Sequence, residues 1–223
     1  TALAWPILGG PQAHLERLGR AQPGGPTAAP TAHGLGEQTL TVTGYGLAGF
    51  GYIISATFLP VIARQFLPGS VWLDLFWPVF GAGVFTGALL STRLPAHQDK
   101  RLLLCVGFLI QASGLGLSQI SPTVPGFVLG SFALGLPFTA MSFFAMQEAR
   151  RLRGGTAASF MGLLTATYGL GQVLGPLLVG ELLRHTEAAR GFDLALWAAT
   201  AALLLGALVF AGLHRAYPRQ PLG

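Results

Sequence analysis

Six stretches of this chain, residues 40–63, 75–92, 102–120, 124–147, 157–180 and 194–213, contain no Asp, Glu, Lys or Arg. Each is about 18 to 24 residues long. At about 1.5 Å of rise per residue, a helix of that length crosses the roughly 30 Å hydrocarbon layer of a bilayer. Little else can be built from such runs. A membrane barrel would alternate apolar and polar residues over segments of about ten, and these runs do not alternate. A soluble domain would carry about 25% charged residues, whereas this sequence has 9%, with 52% hydrophobic residues and a mean hydropathy of +0.58. The pattern predicts an all-α, polytopic membrane protein of six transmembrane helices, with the lipid bilayer as its first partner.

The net charge of +5 lies in short loops between apolar runs, which argues for membrane orientation and against a nucleic-acid partner. Arg93, Lys100 and Arg101 fall between the second and third runs, and Arg150, Arg151 and Arg153 between the fourth and fifth. Arg215 and Arg219 follow the sixth, and Arg17 and Arg20 precede the first. On an alternating path all of these share one side. The other side has Arg64, Arg184 and Arg190, accompanied by Asp74, Glu187 and Asp193. The excess of positive charge marks the cytoplasmic face, so both ends of the segment are expected there.

Residues 1–10 (TALAWPILGG) read as the end of a preceding transmembrane helix. Residues 11–38, dominated by Pro, Gly and Ala, read as a flexible cytoplasmic linker. Residues 39–214 then form the six-helix domain, and 215–223 a cytoplasmic tail. The runs begin at 40, 75 and 102, then at 124, 157 and 194, an offset of roughly 80 to 90 residues. Three helices followed by three of opposite orientation is the inverted arrangement of many secondary transporters.

Residues 43–64 (TGYGLAGFGYIISATFLPVIAR) are more than a lipid anchor. Gly44, Gly46, Gly49 and Gly51 permit close helix contact, Tyr45 and Tyr52 are seven residues apart on one face, and Ser55 and Thr57 add hydroxyls before Pro60. In the fifth run, residues 165–180 (TATYGLGQVLGPLLVG) set Gly171 and Gly175 on a packing face, and Pro176 removes a backbone donor. The amide of Gln172 must face the bundle or a cavity, either bonding another helix or touching a substrate. Gly135-Leu136-Pro137 predicts a bend in the fourth helix, followed by Thr139 and Ser142. Gly83 with Gly87, and Gly126 with Gly130, are packing pairs; Gln111 and Gln119 are expected to bond between helices.

No span contains Asp, Glu, Lys, Arg or His at depth. An intramembrane hydrolase would need such a base beside its nucleophile, so the chain is not expected to be an enzyme. The obvious carboxylate for proton coupling is missing as well. Glu148 and Glu181 stand at helix ends, where solvation or pairing with nearby Arg is expected. The histidines (His14, His33, His97, His185 and His214) lie in loops or at helix ends, and Cys105 stands alone in an apolar run. No metal cluster and no cofactor is expected.

Two of these stretches carry a family resemblance. YGLAGFGYIISATFLPVIAR (residues 45–64) resembles the seventh helix of the YbfB-type branch of the major facilitator superfamily, and TATYGLGQVLGPLLVG is similar to its eleventh. The resemblance runs from about Gly44 to the end of the sixth span. It implies the C-terminal six-helix half of a twelve-helix bundle in the bacterial inner membrane, a secondary transporter working by alternating access. Residues 11–38 would be the linker between halves. Its partners would be a small organic solute, the N-terminal six-helix half and, for coupling, a proton. In such carriers the first, second, fourth and fifth helices of each half line the cavity, which makes Tyr45, Tyr52, Trp77, Thr139, Ser142, Tyr168 and Gln172 the substrate-binding candidates. Pro137, Gly171, Gly175 and Pro176 would serve kinking and packing. The family's loop after the second helix often reads G-x-x-x-D-R-x-G-R-R, whereas here Gly87 is followed by ALLSTRLPAHQDKR, with Ser91 and Thr92 in the Asp and Arg positions. That departure argues against a charge relay here and leaves the basic residues the role of anchoring charge. The alternative to a transporter is a non-transporting six-helix subunit or a degenerate half-transporter.

Overall fold

A computed structural model describes residues 32–66, 75–95 and 97–218. Among the described residues there are seven α-helices and one 3-10 turn, and no strand. The helices are α1 (Ala32–Phe66), α2 (Phe76–Ser91), α3 (Lys100–Ile120), α4 (Val124–Gly135), α5 (Phe138–Arg153), α6 (Ala157–His185) and α7 (Ala188–Ala216), with the turn Gly154–Thr156 between α5 and α6. The all-helical expectation holds. Four stretches are long and apolar enough to cross a membrane: Gly34–Val61, Lys100–Ile120, Val124–His185 and Ala188–Ala216. The third is 62 residues long and runs through α4, α5 and α6, while α2 is apolar but has only 16 residues. The six runs of the sequence therefore do not correspond one to one with six separate spanning helices.

The largest departure is in the fourth run, where the expected bent helix over 124–147 is two helices, divided at Leu136 and Pro137. The proline ring displaces the preceding turn and supplies no N–H. Gln111 of α3 donates its amide N–H to the Leu134 carbonyl (3.2 Å) in the turn before the break, and a polar group inside an apolar bundle needs such a partner. Gln119 likewise donates to Thr200 Oγ1 on α7 (3.1 Å). Both glutamines thus bond between helices as expected. At the other end of α5, Gly154 adopts φ +45°, a conformation that L side chains avoid and that lets the chain reverse into α6.

Helix α1 begins at Ala32, inside the segment read as linker, and α7 runs to Ala216, past the expected start of the tail. The early start has a cause in tertiary contact: Glu37 and Gln38 are buried, and the Glu37 carboxylate is ion-paired to Arg101 and Arg151. Pro, Gly and Ala content could not reveal that. The expected end of a preceding helix at 1–10, and the linker up to residue 31, lie outside the described residues.

Helix α1 packs against α6 and α7, α3 against α4 and α7, and α2 against α4. Small residues make these approaches possible. A Cβ on Gly49 would collide with the Tyr168 carbonyl, one on Gly171 with the Gly46 carbonyl, and one on Gly87 with the Leu136 carbonyl. Gly175 meets Ile53 and Ile54 side chains. On α3 and α7, Phe108 lies over Gly206 and stacks on Phe210 with centroids 5.6 Å apart. Phe85, Ile120, Leu177 and Leu208 point outward, as side chains facing hydrocarbon do.

Candidate functional site: a tyrosine-lined cavity

The heptad-like spacing of Tyr45, Ala48 and Tyr52 places all three on one side of α1, and Phe138, Met141 and Ser142 share a face of α5 at i, i+3 and i+4. The structure brings these faces together with Tyr168 of α6 and Gln111 of α3 around one small, partly open cavity of about 10 Å³. Close approach of α1 and α6 at Gly49 and Gly171 sets Tyr168 against the α1 tyrosines. The Tyr45 and Tyr168 ring centroids are 5.1 Å apart, Tyr52 and Tyr168 6.5 Å, and Tyr52 and Phe138 4.7 Å.

The hydroxyls differ. Tyr45 Oη donates to Ser142 Oγ at 3.2 Å. The hydroxyls of Tyr52 and Tyr168 have no hydrogen-bond partner among the described residues, and neither is sealed away from the cavity. Such a surface can orient an organic molecule by ring contact and hydrogen bonding. It carries no charged group.

Of the seven substrate-binding candidates, Tyr45, Tyr52, Ser142 and Tyr168 line this cavity. Trp77 does not: it is 57% exposed, edge-on to Phe76 and Phe80. Thr139 points outward, one residue from Phe138. Gln172 is half-buried one turn beyond Tyr168, with no hydrogen-bond partner among the described residues. Gly171 and Gly175 face α1, Pro137 stands at the break between α4 and α5, and Pro176 is exposed within an unbroken α6. Sequence reasoning missed Gln111, Phe138 and Met141. Their apolar or amide character looked like packing, and only the i, i+4 spacing of Phe138 and Ser142 pointed toward the cavity.

A second polar assembly lies at one end of the bundle, where the start of α1, the start of α3 and the ends of α5 and α7 meet. Its centre is Arg101, fully buried. The Arg101 guanidinium donates to Asp99 Oδ1 (3.0 Å) and Oδ2 (2.7 Å), to Glu37 Oε1 (3.2 Å) and to the carbonyls of Leu213 (3.1 Å) and Tyr217 (2.6 Å). Glu148, also fully buried, lies 3.8 Å from Arg101 Nε, and Arg151 bridges Glu148 (2.6 Å) and Glu37. His214 Nδ1 is 2.9 Å from Asp99 Oδ2. This corrects the reading of the loop as anchoring charge alone. Asp99, away from the motif's Asp position, supplies a carboxylate to Arg101, and Arg101 is an internal ion. Glu148 and Glu181 both pair with arginine, as expected at helix ends: Glu148 with Arg151, and the exposed Glu181 with Arg184 (3.5 Å) as well as His185.

Burial pushes the Asp99 carboxyl up, but hydrogen bonds from Arg101 and His214 and the Arg101 charge more than offset this and hold it well below the usual carboxylate range. Its folded pKa is thus lower than the ~3.9 of an unfolded Asp, so its stabilising contribution is complete above about pH 4 and fades as pH falls through the folded value. We expect the Asp99→Asn variant to lower the apparent melting temperature of the purified protein at both pH 8 and pH 5. A difference that vanishes at pH 5 would contradict this assignment.

Among the described residues, seven helices with outward-facing apolar side chains and four stretches long and apolar enough to cross a membrane define a polytopic α-helical membrane protein. A family model described as "Uncharacterised MFS-type transporter YbfB" matches residues 13–211, and the chain belongs to that family of transporters. A chloramphenicol resistance protein of Streptomyces lividans is 29% identical over 172 residues, covering 74% of this chain and 40% of that protein. The chain thus spans well under half the length of this relative.

Proposed function

We propose that this chain is the C-terminal six-helix half of a major-facilitator-type secondary transporter of the bacterial inner membrane, moving a small organic solute by alternating access. In this reading α4 and α5 together make one bent crossing, α2 makes a short one, and the six crossings leave both ends of the segment cytoplasmic. The partners are the bilayer, the solute, an N-terminal six-helix half packed against the open side of the cavity, and a coupling proton handled outside the spans of this chain. One observation carries the reading: a cavity between α1, α3, α5 and α6 with two phenol hydroxyls that have no hydrogen-bond partner among the described residues. It lies well inside the bundle, since Tyr52 is fifteen residues from Glu37, or about 22 Å along the helix. The printed name of the Streptomyces lividans relative supports a small organic molecule as cargo.

The test is transport in everted membrane vesicles containing the complete carrier that includes this chain. Radiolabelled chloramphenicol is the first solute to try, followed by a panel of small organic solutes. Tyr52→Ala with Tyr168→Ala is expected to reduce transport at least tenfold while the membrane level of the protein is kept. Undiminished transport in the double variant would remove the cavity from the pathway. A carrier that moves no solute in the panel would favour a non-transporting subunit.

A further inference from the structure

Charge is distributed unevenly between the two ends of the bundle. Among the described residues, the end that holds the Arg101 cluster carries seven Lys and Arg against three carboxylates, Glu37, Asp99 and Glu148. The opposite end has three of each kind, Arg64, Arg184 and Arg190 with Glu181, Glu187 and Asp193. At the Arg101 end the carboxylates are withdrawn from the surface. Glu37 and Glu148 are buried, and all three are engaged by Arg101 or Arg151. Four exposed arginines remain: Arg93 just after α2, Arg150 and Arg153 in the last turn of α5, and Arg215 in the last turn of α7. Among the described residues their guanidinium groups have no ion pair and no hydrogen bond. At the opposite end Arg184 pairs with Glu181 at 3.5 Å, and Arg190 has Glu187 and Asp193 one turn to either side.

The four arginines stand where the outward-facing apolar side chains give out. Leu90 and Leu94 are exposed beside Arg93; Phe143 is exposed two turns before Arg150 on one face of α5, and Leu208 two turns before Arg215 on α7. A long cationic side chain at such a boundary lays its stem on the apolar wall and holds its charge at the level of the lipid headgroups. Arg150 and Arg153, three residues apart on one face, repel each other unless an anion lies between them. Arg153 lies over the Phe160 ring at 5.7 Å, a contact that holds the guanidinium in place and leaves its positive charge unneutralised. A phosphodiester supplies the missing anion in a geometry that the guanidinium fork matches, and basic sets at the ends of spanning helices attract acidic lipids. A soluble acidic segment would answer the charge but not the apolar wall beside it.

We propose that Arg93, Arg150, Arg153 and Arg215 form a rim that binds the headgroups of anionic phospholipids at this end of the bundle. Such binding needs only a bilayer and is independent of whether the protein moves a solute. The complete carrier is reconstituted in phosphatidylcholine vesicles, and electron paramagnetic resonance measures how much spin-labelled phosphatidylglycerol or phosphatidylcholine the protein holds. Phosphatidylglycerol is expected to associate at least about threefold more strongly, with the preference falling as sodium chloride is raised. The combined variant Arg93→Gln, Arg150→Gln, Arg153→Gln and Arg215→Gln is expected to lose most of that preference, and lysine at the same four positions to keep most of it. Whatever the rest of the carrier contributes is the same in each variant and cancels in the comparison. Arg184→Gln with Arg190→Gln, at the opposite end, is expected to leave the preference unchanged. Inorganic phosphate is expected to displace the lipid no more than chloride of equal ionic strength. Equal association of the two lipids, a preference that survives the four glutamines, or one lost equally in the lysine variant or the opposite-end variant would overturn the proposal. Displacement by phosphate well beyond that by chloride would overturn it too, by making the rim a site for the free ion.

Discussion

Replacing Arg101 with alanine is expected to cost the protein about 3–5 kcal/mol of stability, the range for breaking a buried ion pair by removing one partner. Most of that cost comes from what is left behind. Asp99, Glu37 and Glu148 all face the Arg101 guanidinium, and Glu148 is fully buried. Arg151 can answer only part of that negative charge. The carbonyls of Leu213 and Tyr217 each lose a bond from the guanidinium as well, so the end of α7 is loosened together with the starts of α1 and α3. Arg101→Lys is expected to recover little, because a single ammonium cannot reproduce a planar fork that bonds Asp99 in two places and reaches two carbonyls. Glu181→Gln is the control, since the ion pair of exposed Glu181 with His185 is worth about 0–1 kcal/mol. The measurement is the folded, monodisperse fraction after a heating series in detergent. Equal midpoints for Arg101→Ala and Glu181→Gln would mean that the buried cluster contributes no net stability.

Adding a single methyl group at Gly49 is the second large expected effect. The new Cβ would overlap the carbonyl oxygen of Tyr168, and a backbone atom cannot rotate out of the way, so α1 and α6 must separate. Overpacking of this kind costs about 1–3 kcal/mol. The functional cost is larger than the stability cost, because the same contact positions Tyr168 against Tyr45 and Tyr52. Gly49→Ala is therefore expected to lower transport at least tenfold even where the protein remains folded. Gly212→Ala is the matched control, since its Cβ would meet nothing within 4 Å, and alanine is the better helix former by about 1 kcal/mol. Transport by Gly49→Ala equal to that by Gly212→Ala would show that the approach of α1 to α6 does not hold the cavity in shape.

Much of this architecture is visible in the chain itself. The uncharged runs announce helices in a bilayer, because no other structure satisfies the backbone there. The glycines of residues 44–51 and Gly171 announce close contact, and the tyrosines at 45 and 52 announce a shared face. Tyr168 and Ser142 were also legible, once the family's cavity-lining helices were applied. Trp77 and Thr139 were not excluded by the sequence because a helix register, taken alone, does not say which of its faces meets a neighbour.

The charge cluster was illegible for a different reason. Glu37, Asp99, Arg101, Glu148 and Arg151 lie up to 114 residues apart, each at the edge of an apolar run where a solvated residue is the ordinary expectation. The sequence by itself determined the class of protein, the places where helices run and the small residues at which they approach. Those follow from hydropathy, backbone hydrogen bonding and side-chain size, which are local properties. Only the tertiary structure decided which helix ends meet, that Arg101 is an internal ion, and that Gln111 and Phe138 join the tyrosines around one cavity. Those outcomes depend on pairing between distant residues, and pairing energies are set by geometry that no single segment encodes.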